Sequence, residues 1–261
     1  VACHASPESS FIPPGYHRST DLIIPKGFRA TVFSPGAAAQ LRHIAVNTKG
    51  DLYGIIRAHG GGGMVALRYT NNDGVADITR RFEDVGGTGI DVHKGQLYFS
   101  SETQVYRTSF RTDAIIPNLP AQVVVRGFPK QGPHAAKSFT IDKDGALYVN
   151  AGAPSNACQK QTRTPGSPGL RPCPQLKWTA SIWRFAARRL NQEFKRDGIQ
   201  FARGVRNAVA LDWNPFTRKV YLVQHGRDQL HQLFPKYYTV EQSAELPAEE
   251  FHALSQGANL G

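Results

Sequence analysis

Four side chains in this 261-residue chain stand where chemistry can begin: Arg42, His134, Lys137 and Arg206. Each belongs to a short lead-in segment that runs straight into an apolar strand. The segments are Gln40-Leu41-Arg42-His43, Gly86-Gly87-Thr88-Gly89, Gly132-Pro133-His134-Ala135-Ala136-Lys137 and Gly204-Val205-Arg206-Asn207. One such residue alone reads as a solvated loop charge. Several at matched positions of a repeat are gathered by the repeat itself, and converging cations repel unless an anion lies between them. His134 is the candidate general base, because an imidazole titrates near neutrality and can take a proton from a hydroxyl. Gly132, Pro133, Ala135 and Ala136 around it leave room for a ligand. A structural histidine is the alternative at His134. His43 reads equally as a core residue, and His225 and His231 read as packing or surface groups.

The repeat that must position these side chains is marked by four tyrosines. HIAVNTKGDLYGII, TGIDVHKGQLYFSS, KSFTIDKDGALYVN and NAVALDWNPFTRKVYLV each place a turn between two strands and a tyrosine on the second. Tyr53, Tyr98, Tyr148 and Tyr221 are separated by 45, 50 and 73 residues. A self-similar unit of about 40–50 residues with several strands is a propeller blade. The fold class is therefore all-β, with four blades expected over 25–261 behind an irregular leader at 1–24. FRATVF (Phe28 to Phe33) reads as a strand, and MVALRY, QVYRTSF and SIWRFA read as third strands of blades. AQVVVRGF and IQFARG are expected to lead into the third and fourth blades, and QLHQLF (Gln229 to Phe234) to end the fourth. A polar stretch near Leu246 to Leu254 carries the chain's one helical pattern. Corresponding points of all blades face one channel, so the lead-in segments ring its mouth.

Composition agrees. Hydrophobic residues make up 40% and charged residues 20%, with 25 glycines and 17 prolines, which suits short strands joined by turns. The net charge is +11, from 31 Lys plus Arg against 20 Asp plus Glu. The basic residues are scattered, with no aromatic-interleaved stripe, which argues against nucleic acid. An anionic small ligand in a basic channel fits the balance better. No apolar run approaches the ~18 residues of a membrane span.

Cys158 and Cys173 bracket a loop rich in Pro, Gly, Thr and Arg that has little to bury. A disulfide closing it would supply roughly 3 kcal/mol in the chain-entropy model, and implies an oxidising compartment, periplasmic or secreted. Zinc lacks a second ligand pair at short spacing. Cys3 suits a lipoprotein cleavage site, the tail of a haem-attachment motif or a frayed terminus, all three open. Gly60 to Gly63 lacks the Gly-Lys-Ser/Thr ending of a phosphate loop and reads as a turn. Asn71 to Asp77 lacks an EF-hand's first and last ligands and reads as an Asn/Asp/Gly turn.

Several segments carry a family resemblance: PHAAKSFTIDKDGALYVNAGAPSNACQ, RTPGSPGLRPCP, GVRNAVALDWNP, VQHGRDQL and AELPAEEFHALSQGANLG. From about Lys26 onward the chain resembles the glucose/sorbosone dehydrogenase family, soluble PQQ-dependent sugar dehydrogenases built on a six-bladed β-propeller, and most of all its sorbosone dehydrogenase-like branch. The resemblance implies PQQ and calcium as cofactors, a sugar or sugar aldehyde as substrate and an external electron acceptor. His134 then matches the catalytic base, and Arg206 with Asn207 the pair that contacts PQQ and polarises its reacting carbonyl. Gly226 and Arg227 match the pair whose backbone carbonyls hold calcium, although the family's glucose dehydrogenases have Gly-Pro there; Asp228 could add a carboxylate. Arg42 and, more weakly, Lys137 match cofactor contacts. The family continues past Gly257 to Gly261 into further blades, so the expectation is a fragment or a shortened, inactive relative. Other readings are a non-catalytic propeller that binds a carbohydrate or partner, and a calcium-dependent hydrolase. The hydrolase would want carboxylates at the channel mouth, and the lead-in segments offer none.

Overall fold

The structure is a computed structural model that describes residues 22–28, 30–34, 41–57, 62–71, 73–246 and 249–261. Most of the expected leader, Cys3 included, lies outside them, as do Gly60 and Gly61. Four antiparallel sheets follow one another as the blades of a propeller. The first contains β1 (Leu41–Val46), β2 (Leu52–Ile56), β3 (Gly63–Arg68) and β4 (Ile78–Phe82) in sequential order. The second contains β5 (Ile90–His93), β6 (Gln96–Ser100), β7 (Gln104–Ser109) and β8 (Gln122–Arg126). The third contains β9 (Phe139–Ile141), β10 (Ala146–Ala151) and β11 (Ser181–Ala186). A two-residue β12 (Gln192–Glu193) runs back to pair in parallel with β8, and β13 (Ile199–Arg203) then completes the third sheet. The fourth contains β14 (Ala208–Asn214), β15 (Lys219–Gln224) and β16 (Glu250–Leu254). Last comes β17 (Ala258–Asn259), which returns to pair with β13.

Alternation of apolar residues on flat sheets leaves both faces of a blade to be covered, and each blade covers the next. Tyr53, Met64 and Phe82 of the first blade pack with Leu97, Phe99 and Ile115 of the second. Tyr98 and Val125 pack with Leu147 and Trp183 of the third, and Tyr148 and Ile182 with Ala208 and Leu222 of the fourth. Two of the tyrosines reach carbonyls across these interfaces, whereas Tyr148 donates to the Asp142 carboxylate of its own blade at 3.2 Å. Tyr53 donates to Ile115 O at 2.8 Å and Tyr98 to Ala187 O at 3.4 Å. Burial pushes the Tyr53 and Tyr148 hydroxyls up to about 12, so both stay protonated donors. Tyr221 is half-buried and stacks on the exposed Phe251 instead. The inner strands β1, β5, β9 and β14 lie side by side along the axis.

Several sequence expectations need correction. AQVVVRGF and IQFARG close the second and third blades, because β8 pairs with β7 and β13 with β11. QLHQLF is not a strand. It forms α2 (Leu230–Leu233), whose Leu230 and Leu233 are buried three residues apart, a helical spacing. The third strand of that blade is β16, inside the stretch read as helical. The helix there lies earlier, α3 (Val240–Glu245), started by a Thr239–Gln242 capping box. A first short helix, α1 (Phe194–Asp197), plugs Phe194 into the second-to-third blade core. Within Phe28 to Phe33 only Thr31 makes a β-bridge among the described residues.

Candidate active site

His134 sits with φ +53° in the segment between β8 and β9. Its Nδ1 lies 2.6 Å from Ala153 O. A carbonyl oxygen only accepts, so Nδ1 carries the proton and Nε2 keeps its lone pair. Burial holds the imidazole below its ordinary 6.5; the Ala153 contact opposes this, and the Arg206 and Arg163 charges add to it. The residue is therefore a neutral imidazole at pH 7 with a fixed tautomer. Gln131 Nε2 ties its loop to Gly152 O at 2.9 Å and to His134 O at 3.2 Å. A methyl on Gly152 would lie 2.8 Å from both His134 Cβ and His134 O, and 3.3 Å from Arg206 O. That glycine is the point where His134 and the main chain of Arg206 come together.

Arg206 precedes β14, and its side chain is 13% exposed. Its Nε donates to Asn156 O at 2.9 Å, its Nη2 to Asn156 Oδ1 at 2.6 Å and its Nη1 to His225 O at 3.2 Å. Its backbone N donates to Gln224 Oε1 at 2.9 Å. Asp228 approaches its guanidinium to 3.5 Å but is engaged by Arg163 at 2.9 and 3.0 Å. Burial works against the Asp228 charge, yet Arg163 and Arg206 outweigh it and hold the carboxyl below its usual range. Arg206, Gly226, Arg227, Gln224 and Glu250 line a cavity of about 420 Å³, with the Cys158–Cys173 disulfide in its wall. Asn207 Oδ1 is buried without a hydrogen-bond donor among the described residues.

Arg42 belongs to a second cavity of about 270 Å³, with His43, Thr88, Ser138 and His225. Thr88 Oγ1 there is also buried without a partner among the described residues. His134 lines neither cavity, and Lys137 is placed differently from Arg42 and Arg206. Its side chain is fully buried and lines neither cavity, and its Nζ donates to Ala135 O at 2.6 Å. Burial pushes its pKa down to about 8, with Glu102 opposing. The Gly86–Gly89 segment carries no cation because it packs on backbone: a methyl on Gly87 would lie 1.7 Å from Ser100 O, and one on Gly89 2.4 Å from Lys137 O. Asn156, Gln131, Thr88 and Gln224 were invisible to motif reasoning. None has a characteristic spacing, and Thr88 alone stood in a lead-in segment. The described residues gather no group of three or more His, Cys, Asp or Glu side chains fit for a metal. In the Asn/Asp/Gly segment the Asn71 and Asp73 side chains accept from Asp73 N and Val75 N, as turn residues do. No helix among the described residues is long and apolar enough to cross a membrane.

The profile of the TrAA12-like family matches residues 22–260. The chain belongs to the TrAA12-like family. It shares its fold with the holo form of the pyranose dehydrogenase PQQ domain from Coprinopsis cinerea, at TM-score 0.65 and 19% identity, covering 83% of this chain and 50% of that one. The calcium structure of the Trichoderma reesei carbohydrate-active enzyme of family AA12 superposes with TM-score 0.67 at 16% identity, over 94% of this chain and 57% of that one. An uncharacterized protein of Borreliella burgdorferi is 22% identical over 227 residues, 83% of this chain and 52% of its own. The chain thus spans about half the length of these relatives.

Proposed function

We propose that this chain carries the base and part of the cofactor cradle of a periplasmic or secreted PQQ- and calcium-dependent dehydrogenase of sugars or sugar aldehydes, of the glucose/sorbosone type. The observation that carries the reading is the pinned His134 tautomer. Its Nδ1–H is committed to Ala153 O, which leaves Nε2 as an acceptor beside an ordered guanidinium. The residues also fit an anionic quinone. Arg206 and Arg227 line one cavity and Arg42 the other. Gly226 and Arg227 would offer backbone carbonyls to calcium, which suits a site without clustered carboxylates. When bound, the quinone supplies the hydride acceptor. His134 Nε2 takes the proton of the substrate hydroxyl. Arg206 holds negative charge in a position fixed before reaction, so no reorganisation is needed as charge develops. An external acceptor would take up the electrons. The disulfide accords with an oxidising compartment.

The test is dye reduction by full-length protein loaded with PQQ and calcium, against an aldose panel. His134→Ala should lower turnover by about a hundredfold or more, as loss of a general base does, with PQQ affinity changed much less. Arg206→Ala should lower both. Wild-type turnover in His134→Ala would refute the base assignment, and failure of the loaded wild type on every sugar would leave a non-catalytic carbohydrate-binding propeller.

A further inference from the structure

We propose that Asn156 is the positioning residue of this site, holding the Arg206 guanidinium and the segment after Gly226 as one rigid unit. Asn156 lies in the loop that follows β10 on the third blade, whereas Arg206 and Asp228 belong to the fourth. It is 3% exposed. Its main-chain oxygen accepts Arg206 Nε at 2.9 Å, and its Oδ1 accepts Arg206 Nη2 at 2.6 Å. The same Oδ1 accepts Asp228 N at 3.3 Å, and its Nδ2 donates to Asp228 O at 2.8 Å. The amide orientation is unambiguous, because Asp228 N can only donate and Asp228 O only accept. Every polar group of the side chain is thus spent on two lead-in or exit segments of the neighbouring blade. Its own backbone N donates to Thr162 Oγ1 at 3.3 Å, inside the loop closed by Cys158 and Cys173. Ser155, one residue earlier, accepts from Cys158 N at 3.0 Å and donates to Gln175 Oε1 at 2.8 Å. Arg163, from the same loop, grips Asp228 from outside.

The disulfide loop therefore has a purpose that its apolar-poor sequence hides. It is a frame built on one blade that fixes the arginine of the next. Two hydrogen bonds leave a guanidinium fixed in plane and direction, which is what recognition of a planar anion requires. Without Asn156 the guanidinium would keep its charge but lose its aim. Asn156 acts through Arg206, and its consequence for the cofactor rests on the proposed function.

Two measurements on full-length protein separate these claims. The first follows the Arg206 Nη2–H resonance, assigned by its absence in Arg206→Lys, because Asn156→Ala removes the Oδ1 that accepts it and leaves the main-chain oxygen that accepts Nε. It should be protected from solvent exchange in wild type and lost in Asn156→Ala. Equal protection in both proteins would overturn the proposal, whether or not PQQ binds. The second measures PQQ binding by quenching of tryptophan fluorescence in a double-mutant cycle. Asn156→Ala should weaken binding about ten- to hundredfold in the wild-type background, the span expected for bonds to a charged group. In the Arg206→Ala background the same change should cost no more than about twofold, since coupled partners are not additive. The same factor in both backgrounds would show Asn156 to be a general stabiliser and overturn the positioning role. Wild type that shows the protected resonance but no PQQ binding would sustain the positioning role and sink the cofactor reading.

Discussion

Gly152→Ala removes no functional group, yet it should disable the site. The added methyl would stand 2.8 Å from His134 Cβ and His134 O and 3.3 Å from Arg206 O. Non-bonded carbon contacts settle near about 3.5–4.0 Å, so the closest approach is short by about 0.7 Å. None of the three atoms is the far end of a flexible side chain, so no rotamer change relieves the clash. The loop of His134, the backbone of Arg206, or both must move. Overpacking of this kind costs about 1–3 kcal/mol of stability. A misplacement approaching 1 Å can cost about a hundredfold in rate. We therefore expect kcat/KM to fall about tenfold to a hundredfold, with a lowered unfolding midpoint and a folded protein. The assay is dye reduction by full-length protein loaded with PQQ and calcium. Gly169→Ala is the control, since a methyl there meets nothing within 4 Å. If Gly152→Ala keeps wild-type kcat/KM, then His134 and Arg206 do not act as a fixed pair about this glycine.

Three further outcomes follow from the same structure. Breaking the Cys158–Cys173 link, which spans 15 residues, should cost about 3 kcal/mol in the chain-entropy model; unchanged denaturant unfolding of Cys158→Ser/Cys173→Ser would contradict this. Burial holds His134 below its ordinary 6.5, and the neutral form is the base, so activity should persist as pH falls through 6.5 and be lost only below it; an acid limb of kcat/KM centred above 6.5 would count against His134. Lys137 titrates near 8 when folded and near 10.5 when unfolded, so the unfolded chain binds more protons in between and stability rises with pH across that window. Lys137→Met should flatten that rise, and an identical stability–pH curve for mutant and wild type would show Lys137 to be less buried than described.

The blades were legible in the sequence because a tyrosine registers each one, and in the first three that tyrosine is buried. Which blade owns an outer strand was not legible. AQVVVRGF carries no mark of its partner, and only the ladder to β7 assigns it to the second blade. The fourth repeat misled for a physical reason. QLHQLF was assigned by its place in the repeat, but Leu and Gln favour a helix, and the burial of Leu230 and Leu233 on one side fits a turn of it. At the candidate site, residue type and repeat position put His134 and Arg206 forward, and the structure places His134 and the Arg206 main-chain oxygen against Gly152. They were not enough to separate Lys137, three residues from His134 but turned into the protein. Asn156 could not be found by spacing at all, because its partners lie 50 and 72 residues away.

The charge argument from sequence survives in altered form. Gathered cations demand a compensating anion, but the structure divides that demand, since burial holds His134 neutral and Arg42 and Arg206 line separate cavities. Lys137 is satisfied by a main-chain carbonyl and lines neither cavity. Asp228 answers Arg163 first, through two close bonds, and reaches Arg206 only at 3.5 Å. Arg206 is thus held by neutral acceptors, Asn156 and His225, which orient it without cancelling its charge. An arginine aimed by carbonyls keeps its full field for a ligand, whereas one aimed by a carboxylate would have spent it. An anion bound in this cleft, as the proposed function requires, would owe its hold to that choice of acceptors more than to the number of basic residues around it.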